Sequence, residues 1–175
     1  MPDRLHRFLL RCYRALPRWA RRWAVRLLAP SFTVGAICHI ERADGDVLLV
    51  RQAYRERWGV PGGLLQRREE PAVAAVREVF EEVGLRVELL GEPAVVVDAA
   101  PQRIDLVFRA RPVVDAESVE ARPCSPEIAA VQWFSPDALP ELQHETAHAL
   151  VALARRGHSF IQVEERTSGR TDQRP

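Results

Sequence analysis

Two periodicities divide the chain. Within residues 3–29 the apolar positions recur at helical spacing, and from Ser31 onward they alternate. In the first stretch Leu5, Phe8, Leu9, Cys12, Tyr13 and Leu16 share one helical face, and Arg4, Arg7, Arg11 and Arg14 share the other. Pro17 then opens a second short helix, a place where its missing N–H is unused. There Trp19, Ala20, Trp23, Ala24 and Leu27 oppose Arg18, Arg21, Arg22 and Arg26, and Pro30 closes the arm. Phe32, Val34, Ala36, Cys38 and Ile40 alternate with Thr33, Gly35, Ile37 and His39, which predicts a strand. A turn around Gly45 leads to a buried strand at Val47–Val50, and Gly59, Pro61, Gly62 and Gly63 predict a loop.

Pro71 begins a helix that runs to about Val83 and stops at Gly84. On a helical wheel Val73, Val76, Val79, Phe80 and Val83 form one stripe, expected to bury against a sheet. Short strands are expected at Arg86–Leu90, Ala94–Asp98, Ile104–Ala110 and Ala130–Phe134, with a Pro-rich connection over Arg111–Pro126. Ser135–Leu142 reads as a capped short helix, His144–Arg156 as a longer one, and Arg166–Pro175 as a polar, disordered tail. The organisation is thus a helical arm at 1–30, an α/β domain with a mixed sheet at 31–165, and a tail at 166–175.

Composition refines this picture without overturning it. The 175 residues are 47% hydrophobic and 28% charged, an ordinary globular mix with a formal net charge of +1. That balance gives no reason to expect a specific nucleic-acid partner. Its distribution is uneven: residues 1–30 hold eight Arg and one acid, the rest 17 Arg against 23 acids. There is no Lys, so every positive side chain is a guanidinium, which suits phosphate. Cys12, Cys38 and Cys124 show no CxxC spacing and fit a reducing compartment. No apolar run approaches the roughly 18 residues of a membrane span, so a cytoplasmic location is expected, peripheral to a membrane if the arm lies on one. The arm is compatible with three occupants: the domain or a second subunit in a homodimer, an anionic membrane surface, or RNA.

The chemistry-bearing stretch is residues 63–85. Glu78, Glu81 and Glu82 fall within one 100° arc opposite the apolar stripe. Three glutamates alone are most simply an acidic surface; they are also what a hard divalent cation such as Mg²⁺ prefers. Gly63 allows close backbone approach and can present its carbonyl to a metal. Glu69 precedes the helix, from where it can fold back onto Arg77 and orient the cluster. The full arrangement is G-x5-E-x7-R-E-(apolar)-x-E-E-x-G-(apolar), filled by Gly63, Glu69, Arg77, Glu78, Val79, Glu81, Glu82, Gly84 and Leu85. At average residue usage a chance match has probability on the order of 10⁻⁷.

Here the sequence resembles the Nudix hydrolase family, whose 23-residue box it carries without departure. The resemblance implies an α/β/α sandwich and hydrolysis of a nucleoside diphosphate linked to another group, with Mg²⁺ or Mn²⁺. It also implies that Glu78, Glu81, Glu82 and the Gly63 carbonyl hold the metal, with Glu78 and Glu82 the firmest ligands and Glu81 ligand or base. Glu127, six residues before Trp133, matches where relatives place an extra ligand or base; a charged loop residue is an equal reading. For the substrate, a nucleotide-derived small molecule, Trp58 is a candidate to stack on a base or to pack in the core, and Arg51, Arg103 and Arg109 are candidates to clamp phosphate. Pro101 lies sixteen residues beyond Leu85, a spacing similar to ADP-ribose pyrophosphatases, although a turn explains it equally. An 8-oxo-dGTP-type pyrophosphohydrolase and a non-catalytic nucleotide sensor are the alternatives, the latter disfavoured by the intact box. His144-Glu145-Thr146-Ala147-His148 matches HExxH, but three fixed positions without a third ligand describe a solvated helix better than a zinc site.

Overall fold

A computed structural model describes residues 6–8, 11, 13–14, 16–113 and 120–168; side chains at 24, 26, 28 and 157–168 are outside that description. The chain forms two compact units, Met1–Phe32 and Thr33–Pro175. In the first, residues 6–8, 11, 13 and 14 are helical; Leu5, Leu9 and Cys12 of the expected apolar face lie outside the described residues. Helix α1 follows at Arg18–Leu28, with Pro17 as its extended N-cap.

The second unit contains β1 (Thr33–Ile40), β2 (Val47–Gln52), β3 (Gly62–Leu64), α2 (Pro71–Val83), β4 (Val87–Asp98), β5 (Arg103–Pro112), β6 (Ile128–Phe134) and α3 (His144–Ser168). Four strands form a mixed sheet in the order β3-β1-β5-β4, and β2 pairs with β6. β1 runs parallel to β5 and antiparallel to β3; β4 runs antiparallel to β5. Alternation along the central strands separates two cores. Ala36, Cys38, Ile40, Phe108 and Ala110 meet Ala74, Ala75, Val79 and Val83 of α2. Ile37, Ala94 and Val107 meet Ala149 and Leu153 of α3 on the other face. The result is a mixed sheet between helices, as the pattern predicts.

Four local expectations are corrected. The two strands predicted at Arg86–Leu90 and Ala94–Asp98 are one strand, β4, with a register shift between Leu90 and Ala94 around Gly91 at φ +66°. The stretch predicted as a loop ends in β3. Ser135–Leu142 gives only a 3₁₀ turn at Pro136–Ala138, capped by Ser135; Leu139 stays extended because Pro140 follows it. The last helix runs to Ser168, so the tail expected from Arg166 starts helical, and its residues 169–175 are outside the described set.

The buried face of α2 also differs from the predicted stripe. Val79 and Val83 are buried, but Val73 and Phe80 are 56% and 52% exposed, while Ala74, Ala75 and Glu82 are buried in their place. The two alanines let α2 sit close to β1, near enough for the Cys38 thiol to point at the Ala75 carbonyl (3.8 Å). Burial, with the Glu82 charge as a second cause, pushes that thiol up to about 12. The turn of the helix brings its acidic edge, rather than its full valine stripe, against β3.

Candidate functional site

The site is built where α2 lies along β3. Gly62 has φ +146°, and a Cβ there would run into the Ala36 carbonyl oxygen. Only glycine lets β3 approach β1 this closely. A Cβ on Gly63 would lie 2.5 Å from the Glu78 carboxylate carbon. The absence of that Cβ leaves the strand backbone open to the carboxylate.

Glu82 is 7% exposed and accepts the Gly62 N–H at 2.9 Å. Burial pushes its carboxyl up to about 7, and the charges of Glu78, Glu127 and Glu81 push the same way against the Gly62 hydrogen bond. Glu127, exposed on the loop before β6, is therefore brought to the same acidic region as the box glutamates. Its backbone is fixed there, its amide donating to Ser125 Oγ (3.2 Å) and its carbonyl accepting from Ala53 (2.8 Å).

Arg77 organises the rest. Its Nε and Nη2 donate to the two oxygens of Glu69 (2.7 and 2.9 Å), a bidentate pair. Its Nη1 donates to Glu78 (2.8 Å) and Glu81 (3.0 Å). Glu69 also accepts the Gln66 amide (2.8 Å). The Arg77 bonds, then that amide, hold the Glu69 carboxyl down at about 2, and the guanidinium is correspondingly held well above its usual range. Gly84 ends the helix in the left-handed conformation, φ +72°, donating its amide to Phe80.

The donor set tests well against a hard divalent cation. Every side-chain donor is a carboxylate, the strand beside them carries no Cβ at Gly63, and three negative neighbours crowd Glu82. Among the described residues no three His, Cys, Asp or Glu side chains converge as a finished cage; Glu78 and Glu81 are turned onto Arg77.

The substrate candidates are dispersed. Half-buried Trp58 packs edge-on to Phe134, ring centroids 4.9 Å apart, and the Arg51 guanidinium lies 5.9 Å from the centre of its ring. Arg103 is held by both oxygens of buried Asp105 (2.9 and 2.8 Å), and Arg109 donates to the Leu153 carbonyl (3.3 Å). These two lie on the sheet face that carries α3. The His144 and His148 rings lie with centroids 4.0 Å apart and planes tilted by 57°, and Glu145 is ion-paired with Arg55 (3.2 Å). Sequence reasoning missed Gly62, whose amide fixes Glu82; the Pro61-Gly62-Gly63 run was its signal. Arg55 and Arg57 line an open cleft with Glu56, Gln143, His144 and Glu145.

Residues 31–154 match the family model described as the NUDIX domain. The chain is 34% identical over 116 residues to a MutT-like protein of Streptomyces ambofaciens, covering 66% of this chain and 72% of that one. The fold matches a MutT Nudix hydrolase of Burkholderia pseudomallei at 31% identity and TM-score 0.58, over 70% of this chain and 98% of that one. It matches an ADP-ribose pyrophosphatase of Streptococcus suis at 26% identity and TM-score 0.58, over 72% and 92% of the two chains. A complete box, a mixed sheet between helices and an arginine-organised carboxylate cluster agree with these matches, and the chain belongs to the Nudix hydrolase family.

Proposed function

We propose that this Nudix hydrolase cleaves the phosphoanhydride of a nucleoside diphosphate joined to another group, of the ADP-ribose kind, using Mg²⁺ or Mn²⁺. The observation that carries the reading is the buried Glu82 against the Gly62–Gly63 backbone, surrounded by Glu78, Glu81 and Glu127. The similarity to the Streptococcus suis ADP-ribose pyrophosphatase supports the substrate class.

In this reading Glu78, Glu82 and the Gly63 carbonyl would hold the cation. When bound, the ion would offset the diphosphate charge and acidify a water. Glu69 fixes Arg77, and Arg77 fixes Glu78 and Glu81, so the acidic edge is oriented before substrate arrives. Exposed Glu81 and Glu127 are the carboxylates left to accept a proton from the attacking water. A non-catalytic sensor would have no need of this oriented set.

A screen of ADP-ribose, 8-oxo-dGTP, sugar nucleotides and dinucleotides with Mg²⁺ or Mn²⁺ tests the proposal. Fastest turnover is expected on ADP-ribose, releasing AMP and ribose 5-phosphate. Preference for 8-oxo-dGTP would move the chain to the alternative substrate class, and no turnover on any of them would refute the reading.

A further inference from the structure

We propose that α1 is an interfacial helix that lays the enzyme on an anionic lipid surface, with Trp19, Trp23 and Leu27 entering the headgroup boundary and Arg18 and Arg22 meeting lipid phosphates. The three apolar residues stand at i, i+4 and i+8, one row along the helix. Each is largely uncovered: Trp19 is 69% exposed, Trp23 60% and Leu27 77%. A continuous row of two tryptophans and a leucine is costly to leave in water and is the composition of a membrane-interface face.

The charges specify the surface. The eleven residues of α1 contain four arginines and no acid. Arg18 and Arg22 are exposed beside the tryptophan row. Arg21 is engaged within the arm instead. Its Nε donates to the Leu16 carbonyl (2.8 Å) and its guanidinium covers the Tyr13 ring (5.9 Å), so α1 is braced against the preceding turn. Guanidinium pairs with phosphate in a forked geometry, and each basic residue near an anionic leaflet contributes roughly fivefold in partitioning. No described helix is long and apolar enough to cross a membrane, so the helix would lie on the surface. A second copy or RNA is the other class of occupant; RNA explains the charge without needing Leu27 in the row, and a second copy explains the row without needing acid-free flanks.

The test is co-sedimentation of the full chain with phosphatidylcholine vesicles, with and without phosphatidylserine. Variants Trp19→Ser/Trp23→Ser and Arg18→Glu/Arg22→Glu are compared, their thermal midpoints confirming an intact domain. Binding is expected only to the anionic vesicles. It should fall at least tenfold in each double variant and weaken as salt rises. Absence of binding to anionic vesicles overturns the proposal, as does undiminished binding by the two variants. Self-association or RNA retention abolished by the same substitutions, without vesicle binding, would assign the face to those occupants instead.

Discussion

Glu82 reaches back twenty residues along the chain to accept the amide hydrogen of Gly62 at 2.9 Å. That single bond ties the acidic edge of α2 to the strand whose backbone completes the site, and it does so at a buried carboxylate. Burial of a charge is expensive unless something meets it, so the ionised form of this carboxylate costs the fold stability.

Replacing Glu82 by Gln should therefore separate activity from stability. The amide oxygen can still accept from Gly62, while the charge is gone. Turnover is expected to fall on the order of 10²-fold or more, as a ligand loss should. The metal-free variant should be more stable than the parent at pH 8, by on the order of 2 kcal/mol. The sign follows from the raised carboxyl: the fold keeps the proton up to about 7 whereas the unfolded chain releases it near 4.5, so the parent loses stability as pH rises between those values. Urea midpoints in the presence of a chelator, with Mg²⁺-dependent turnover alongside, check both halves. Unchanged turnover would remove Glu82 from the site.

The two glycines of β3 should respond differently to the same change. Alanine at Gly62 drives a methyl into the Ala36 carbonyl at positive φ, and neither backbone has room to move. A loss on the order of 3 kcal/mol is expected. The three atoms nearest to an added methyl at Gly63 all belong to the Glu78 carboxylate, the far end of a flexible side chain. That variant should keep most of its stability and lose turnover, because Glu78 is pushed from its place. Thermal melts and kinetics on the pair decide it; equal destabilisation would count against an active-site role for the Gly63 contact.

Arg77→Lys tests the organiser. A lysine has one ammonium and cannot reproduce the fork that holds Glu69 while also touching Glu78 and Glu81. Activity should drop by about 10–100-fold, with a higher Mg²⁺ concentration needed for half-maximal rate. An unaltered metal requirement would mean that Arg77 only supports the helix.

The box residues were legible in the sequence because all nine fixed positions of the motif are filled, and the Glu69–Arg77 pair could be anticipated because Glu69 stands just before the helix that carries Arg77. The rotation of α2 was not legible. Counting valines placed Val73 and Phe80 inside, but tertiary contact with β3 draws Glu82 in and leaves those two outside. A hydrophobic wheel has no way to weigh a carboxylate that is buried against a backbone amide. The partner of Arg109 was equally hidden, since the Leu153 carbonyl reaches it only through helix packing, whereas Asp105 stands two residues from Arg103 on the same strand and was open to a period-two reading. Their engagement leaves Arg51, over the face of Trp58, as the arginine among the proposed clamps that is set against an aromatic ring.

Glu69 should give the molecule an acid limb opposite in sign to the effect of Glu82. Its carboxyl is held at about 2 by Arg77 and the Gln66 amide, well below the unfolded value near 4.5. The unfolded chain therefore takes up a proton first as pH falls, and the stability that Glu69 supplies is complete above about 4.5 and lost progressively toward about 2. Glu69→Gln removes that proton linkage. The parent should lose stability more steeply than the variant between pH 4.5 and pH 2, and the two should show parallel curves between pH 5 and pH 7, where only Glu82 titrates of the pair. Denaturant midpoints across the range read the slopes directly. Identical acid limbs would mean that the bidentate contact does not persist in solution, and the orientation of Glu78 and Glu81 through Arg77 would lose its support.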